Sequence, residues 1–358
     1  MIDAKRGITA TVCDAINPYR WITALRNRLF DFGVMESRSF QVPTICIGNI
    51  SVGGTGKTPH TEYLINLLGR KFRTAVLSRG YGRKSKGYIK GTPATPMEIF
   101  GDEPFQIKNK FPYIDVAVCE KRTTGIERLL TEENVPEVIL LDDAYQHRHV
   151  KAGMNILLID SNRPIWLDCV LPFGRMRESL AGIRRADIAI ITKCRGITTR
   201  QKEWCRNFIK RFKDIPVFFS CMEYGAHYPL FKEAAPLEEI AACNEILLVT
   251  GIARPEPLKE EIQKKGVKVE MLRFGDHHNF TTAELQGIAE RFNSMKGKRK
   301  AIITTEKDAT RLIQRNDLPQ CVRENIYAIP IQVVILDGEK DMFNQIIENY
   351  VTENSRNS

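Results

Sequence analysis

Ile45-Cys46-Ile47-Gly48-Asn49-Ile50-Ser51-Val52-Gly53-Gly54-Thr55-Gly56-Lys57-Thr58 is the stretch from which the fold is read. Residues 42–47 form an apolar run that predicts a buried strand, and residues 57–70 carry helical patterning, with glycines in the turn between. A strand, a glycine loop and a helix make a phosphate cradle. Backbone N–H groups point into the loop, and the helix N-terminus adds partial positive charge. Ser51, Val52, Gly53, Gly54, Thr55 and Gly56 would surround phosphate oxygens, Lys57 would reach the outer phosphates, and the Thr58 hydroxyl would ligate Mg²⁺. The strict pattern G-x-x-x-x-G-K-[ST] is met except at its first glycine, where this chain has Ser51.

A second signal belongs with the first. Val138-Ile139-Leu140-Leu141-Asp142-Asp143 is an apolar run ending in two acids. It has the form of a Walker B strand whose carboxylates, Asp142 and Asp143, hold Mg²⁺ directly or through water. Gln146 and His147 follow on the same loop, within reach of the metal's water shell or of phosphate. A short strand over 74–77 ends in Ser78-Arg79-Gly80-Tyr81-Gly82. Loops at the carboxyl ends of parallel strands gather around the ligand, which places Arg79 to meet an anion. Gly101-Asp102-Glu103-Pro104 opens a helix, and Asp102 has two readings: a helix cap, or a carboxylate that accepts a proton from a substrate hydroxyl. A strand over 114–119 leads into Glu120-Lys121-Arg122. Thr192-Lys193 begins like a guanine-reading N/T-K-x-D motif, but position 195 is Arg, so ATP is expected rather than GTP.

The 358 residues, 43% of them hydrophobic, suffice for a sizeable core and suit two domains better than one. A net charge of +10 points to an anionic partner: nucleotide, nucleic acid or an acidic membrane surface. No interleaved aromatic and basic platform for nucleic acid is present, so none is expected as a partner. The nine cysteines are scattered without a C-x-x-C pair, which argues against a zinc site or a disulfide framework and suits a reducing compartment. The N-terminus lacks a secretory pattern and no apolar run is long enough to span a bilayer, so folding in the cytoplasm is expected.

Asn17-Pro18 reads as a helix start. Trp21, Ile22, Leu25, Leu29 and Phe32 then share one face, flanked by arginines; the helix either lies in a membrane interface or packs on its own domain. Residues 1–40 are assigned to this amphipathic segment and 41–221 to the nucleotide-binding domain. Punctuation around 221–244 marks a boundary, and 222–358 is assigned to a smaller α/β domain with strands over 246–250, 267–274, 301–305 and 329–336. The expected fold class is therefore α/β: a mostly parallel sheet of P-loop NTPase type flanked by helices, with a second, smaller α/β domain. Gly275-Asp276-His277-His278 closes one strand of that domain, a carboxylate beside imidazoles that suits acid/base work. Thr304-Thr305-Glu306-Lys307-Asp308 closes another and reads as a helix cap.

These residues resemble the tetraacyldisaccharide 4′-kinases of lipid A biosynthesis. The resemblance rests on Gly48 to Pro59, Ser78-Arg79-Gly80-Tyr81-Gly82, Gly101-Asp102-Glu103-Pro104, Leu141-Asp142-Asp143-Ala144-Tyr145-Gln146-His147, Leu171-Pro172 through Arg177-Glu178, Asp276-His277-His278 and Thr305-Glu306-Lys307-Asp308. It implies transfer of the γ-phosphoryl of ATP, with Mg²⁺, to the 4′-hydroxyl of an acylated glucosamine disaccharide 1-phosphate. It also implies a peripheral position on the cytoplasmic side of the bacterial inner membrane, and so favours the membrane reading of the Trp21 helix. By position, Asp102 matches the family's catalytic carboxylate and the Asp276-His277-His278 run its histidine partner, with His277 preferred and His278 next. Arg79, Arg122, Gln146, His147 and Glu178 would support phosphate, metal or sugar. A P-loop ATPase that switches a partner without a small-molecule acceptor is the competing class.

Overall fold

The computed structural model describes residues 16–276 and 278–355. The chain divides into two compact units, one made of Met1–Met222 with Val333–Ser358 and the other of Glu223–Gln332. The strands, numbered along the chain, are β1 (Thr44–Gly48), β2 (Thr74–Ser78), β3 (Ile89–Lys90), β4 (Asp115–Val118), β5 (Val138–Asp142), β6 (Met154–Asp160), β7 (Ile188–Thr192), β8 (Val217–Tyr224), β9 (Tyr228–Pro229), β10 (Glu245–Thr250), β11 (Lys268–Arg273), β12 (Lys300–Thr305), β13 (Ile326–Ile329) and β14 (Ile331–Ile335).

The first unit's sheet runs β14-β8-β7-β6-β1-β5-β2-β4-β3. Its pairings from β8 through β4 are parallel, and the short edge strand β3 is antiparallel to β4. Strand β1 reads buried at every position because both faces are covered, as parallel sheets require. Ile45 and Ile47 face a core shared with the helices Lys57–Leu68 and Lys340–Ser355, while Cys46 faces the core shared with the helices Arg122–Leu130 and Thr199–Lys210. Strand order reverses at β1: β5, β2 and β4 lie to one side, and β6, β7 and β8 to the other. In open α/β sheets the ligand crevice forms outside the carboxyl ends at such a point. Here those ends deliver the glycine loop, the Asp142 pair and Thr192-Lys193.

The second unit has the order β11-β10-β12-β13-β9, parallel except for β9. The helix Thr282–Ser294 covers one face through Leu285, Ile288 and Phe292, and the helix Glu256–Gln263 covers the other through Leu258 and Ile262. The sequence reading ran one strand over 329–336 and one domain over 222–358. Pro330, which has no N–H for a ladder, instead divides that run into β13 of the second sheet and β14 of the first. Residues beyond 332 thus return to the first unit, where Phe343, Ile347 and Val351 are buried.

The helix Pro18–Asp31 is capped by Asn17, whose side chain accepts from the Arg20 N–H and donates to the Val170 and Leu171 carbonyls. Its polar side faces the protein: Asn27 donates to Glu178, Arg26 to the Gln146 carbonyl, and Arg148 to the Asn27 carbonyl. Its apolar side faces out, with Trp21 60%, Ile22 66%, Leu25 59% and Phe32 80% exposed. The helix therefore packs on its own domain through its polar side and Phe30, with these four residues of the stripe left exposed. No described helix is long and apolar enough to cross a membrane.

Candidate active site

The glycine loop leaves β1 and becomes the helix Lys57–Leu68 at Gly56, whose φ of 92° only glycine adopts without strain. A Cβ there would come within 2.1 Å of Met222 Cε. No described side chain caps this helix start, so the Lys57 and Thr58 N–H groups are left for an anion. Gly53 takes the other left-handed position, at φ 107°. Ser51, by contrast, is buried in an extended bridge to Met176, and Val52 N–H donates to the Arg175 carbonyl at 2.7 Å. An extended residue tolerates a Cβ, which explains why the motif's first glycine is dispensable in this chain.

Asp142, at the end of β5, is almost wholly buried; it accepts from the Thr61 hydroxyl at 3.2 Å and the Ser78 hydroxyl at 3.5 Å. Burial first, and the charge of Asp143 second, push its carboxyl above the usual range, with Lys57 opposing them. Asp143 has φ 46° and turns its carboxylate toward the glycine loop, 3.6 Å from Lys57 Nζ. Arg177 donates to both oxygens of Asp143, at 3.0 and 3.5 Å. Thr58 is half-buried in the first turn of the same helix as Lys57.

Asp102 is the first residue of the helix Asp102–Lys110, preceded by Gly101 at φ 93°. A Cβ on Gly101 would lie 3.2 Å from the Tyr81 carbonyl and 3.3 Å from Gly80, so this helix start abuts the loop after β2 that carries the exposed Arg79. Arg122 is buried, donating to the Cys119 and Asp142 carbonyls, and its Nε has no partner among the described residues. Its backbone N–H donates to His147 Nε2 at 3.2 Å, which puts the His147 proton on Nδ1. Burial and then the Arg122 charge push His147 down to about 4, so it is neutral at ordinary pH. Gln146 donates to the Asn49 carbonyl at 2.6 Å and to Glu178 at 3.0 Å, and Glu178 is a buried ion-pair partner of Arg185. These two side chains brace the site rather than face it.

In the second unit, His277 lies outside the described residues. Its neighbour His278 is engaged: Nε2 is 2.9 Å from Glu284, the capping-box acid of the helix Thr282–Ser294, and the ring stacks on Phe274. Asp276 pairs with Lys307 at 2.7 Å. Thr305 caps the following helix, as read from the sequence, and buried Asp308 accepts from the Gly251 N–H at 2.9 Å.

Sequence reasoning gave no individual role to Arg177, although it adjoins Glu178 in a stretch already singled out. It valued Thr192-Lys193 only as a fragment of a base-reading motif, yet both side chains bond the glycine loop. His60 carried no signal beyond standing one turn along the helix from Gly56. Its Nδ1–H donates to the Gly56 carbonyl at 2.7 Å.

A triphosphate with Mg²⁺ fits these residues. The cradle has uncapped amides and no room for a Cβ at Gly56, Lys57 stands beside it, and two adjacent carboxylates include one whose ionisation burial opposes until a cation offsets it. Among the described residues no cluster of three His, Cys, Asp or Glu side chains could hold a metal. Two acids suit Mg²⁺, which takes its other ligands from phosphate and water.

Comparison with known proteins agrees with this reading. Residues 16–352 match the model of the family described as tetraacyldisaccharide-1-P 4′-kinase. The chain is 49% identical to the tetraacyldisaccharide 4′-kinase of Bacteroides fragilis, over 95% of this chain and 93% of that protein. It is 43% identical to the enzyme of that name from Flavobacterium psychrophilum, over 95% and 96%. A crystal structure of the Aquifex aeolicus relative LpxK in complex with ATP superposes with a TM-score of 0.74 at 28% identity, covering 96% of this chain and 98% of that one. A match of this length and depth, on a chain that independently builds a phosphate loop beside paired acids, means that the protein belongs to the tetraacyldisaccharide 4′-kinase family.

Proposed function

We propose that this protein transfers the γ-phosphoryl of ATP to the 4′-hydroxyl of tetraacyldisaccharide 1-phosphate in lipid A biosynthesis. The observation that carries the reading is the juxtaposition of an uncapped glycine-loop helix, Lys57 and the Asp142–Asp143 pair at the strand-order reversal, in a chain of this family. Family membership favours this lipid kinase over a nucleotide switch without an acceptor.

The loop from Ser51 to Gly56 wraps the phosphates with backbone N–H groups, and Lys57 neutralises the outer ones. Thr58, Asp142 and Asp143 would hold Mg²⁺, which when bound neutralises charge on the β- and γ-phosphate oxygens. Arg177, which donates to Asp143 at 3.0 Å, would compete with that cation for the carboxylate and supplies a guanidinium suited to phosphate. Asp102 accepts the proton of the acceptor hydroxyl, and His277 is assigned acid/base work. His278 is assigned a supporting role, because Glu284 and Phe274 already engage its ring. Arg79 at the rim and buried Arg122 behind Asp142 supply positive charge, while Gln146, His147 and Glu178 keep the acidic loop in register.

The acceptor is a lipid. The outward stripe of Trp21, Ile22, Leu25 and Phe32, bordered by Arg20 and Arg28, suits a peripheral helix lying in the headgroup region on the cytoplasmic side of the inner membrane. The reading is tested by following labelled phosphate from ATP into the disaccharide lipid in detergent micelles. Wild type should label the lipid, and Lys57→Ala should lose at least about 100-fold in rate. Labelling unaffected by Lys57→Ala, or ATP hydrolysis indifferent to the lipid, would count against it.

A further inference from the structure

Three consecutive carbonyl oxygens of the glycine loop are held from behind by side chains. Lys193 Nζ donates to Gly54 O, Thr192 Oγ1 donates to Thr55 O at 2.9 Å, and His60 Nδ1 donates to Gly56 O at 2.7 Å. A trans peptide unit points its C=O and its N–H in opposite directions. Fixing the Thr55 and Gly56 carbonyls toward β7 and the helix therefore fixes the Gly56 and Lys57 N–H groups on the opposite, open side. These holders are themselves anchored. Lys193 pairs with Asp160 at 2.7 Å, and His60 Nε2 accepts from the Ser220 hydroxyl at 3.0 Å. Burial pushes the His60 imidazole down to about 4, so it stays a neutral imidazole with one donor and one acceptor, as its two neighbours require.

We propose that Thr192, Lys193 and His60 are positioning residues for ATP, holding the glycine loop in its phosphate-accepting shape before the nucleotide arrives. The proposal rests on reading this loop as the ATP site. A loop rich in glycine has many conformations to lose, and Gly53 and Gly54 are exposed. Restraint applied to its carbonyls lowers the ordering cost that nucleotide binding would otherwise bear. The effect belongs to nucleotide affinity and leaves recognition of the acceptor alone.

Thr192→Val keeps the side-chain shape and deletes the hydroxyl, while Thr192→Ser keeps the hydroxyl. The expected result for Val is a Kd and KM for Mg-ATP raised about tenfold, with the KM for the disaccharide lipid unchanged within about twofold. Ser should restore ATP affinity to within about threefold of wild type. Lys193→Met, at a partly exposed position, should raise the ATP constants in the same selective way and decides the matter if the Val variant does not fold. The proposal is overturned if the folded variants bind ATP within about twofold of wild type, if Val and Ser lose affinity alike, or if the lipid KM rises in step. Transfer of label to lipid by wild type reports separately on the kinase reading. Its absence would sink that reading and leave the nucleotide titrations to judge the loop restraint.

Discussion

Asp142 is a side chain whose usefulness to the reaction runs against its usefulness to folding. Its carboxyl is buried beside a second acid, and its pKa lies above the ordinary carboxylate range. A carboxyl raised on folding binds its proton more tightly in the folded chain. The folded state is therefore penalised progressively as pH rises from the ordinary carboxylate value toward the raised one. Asp142→Asn should raise the melting temperature of the nucleotide-free protein by about 2–4 °C at pH 7.5, a gain that shrinks toward pH 4, while phosphate transfer falls about 100-fold or more. Thermal melts at both pH values and the labelled-transfer assay check this. A melting temperature lowered at pH 7.5 would contradict it. At this scale the sequence exposed the acids and the lysine, because charged residues closing an apolar strand or a glycine loop have few other uses. It concealed Arg177 as the partner of Asp143, since that pairing joins residues 34 positions apart in the chain.

The helix Pro18–Asp31 is built inside out compared with an ordinary surface helix. Asn27 and Arg26 bond the loops below, while the apolar stripe stays in solvent. Its face was legible from i, i+3, i+4 spacing, but the direction it points was not, because periodicity separates two faces without saying which is covered. Trp21→Ser with Leu25→Ser should cut co-sedimentation with anionic phospholipid vesicles by about tenfold or more, since each large side chain contributes roughly 1.5–3 kcal/mol of burial. The same pair should leave the melting temperature within about 2 °C, because both side chains are mostly exposed. Unchanged vesicle binding would argue against the peripheral-membrane assignment. The short elements escaped the sequence for a different reason: β3 and β9 have two residues each, too few for any period to register.

The whole molecule is two α/β units, with the second inserted before the last strand and helix of the first. Runs of apolar residues marked most strands, and loosened patterning near 221–244 marked the first crossing. The return at 333 was invisible because Pro330 interrupts what reads as one strand, and pairing partners are not local information. Asp102, in the first unit, is the residue proposed to carry the proton-transfer step of the mechanism. The central claim is that Asp102 serves the acceptor hydroxyl and not the nucleotide. The most direct measurement is an Asp102→Asn variant studied by Mg-ATP titration and single-turnover transfer to the disaccharide lipid. The account predicts a nucleotide Kd within about threefold of wild type and a transfer rate lower by about 100-fold or more. Transfer within about tenfold of wild type, or a loss matched by an equal loss of nucleotide affinity, would contradict it.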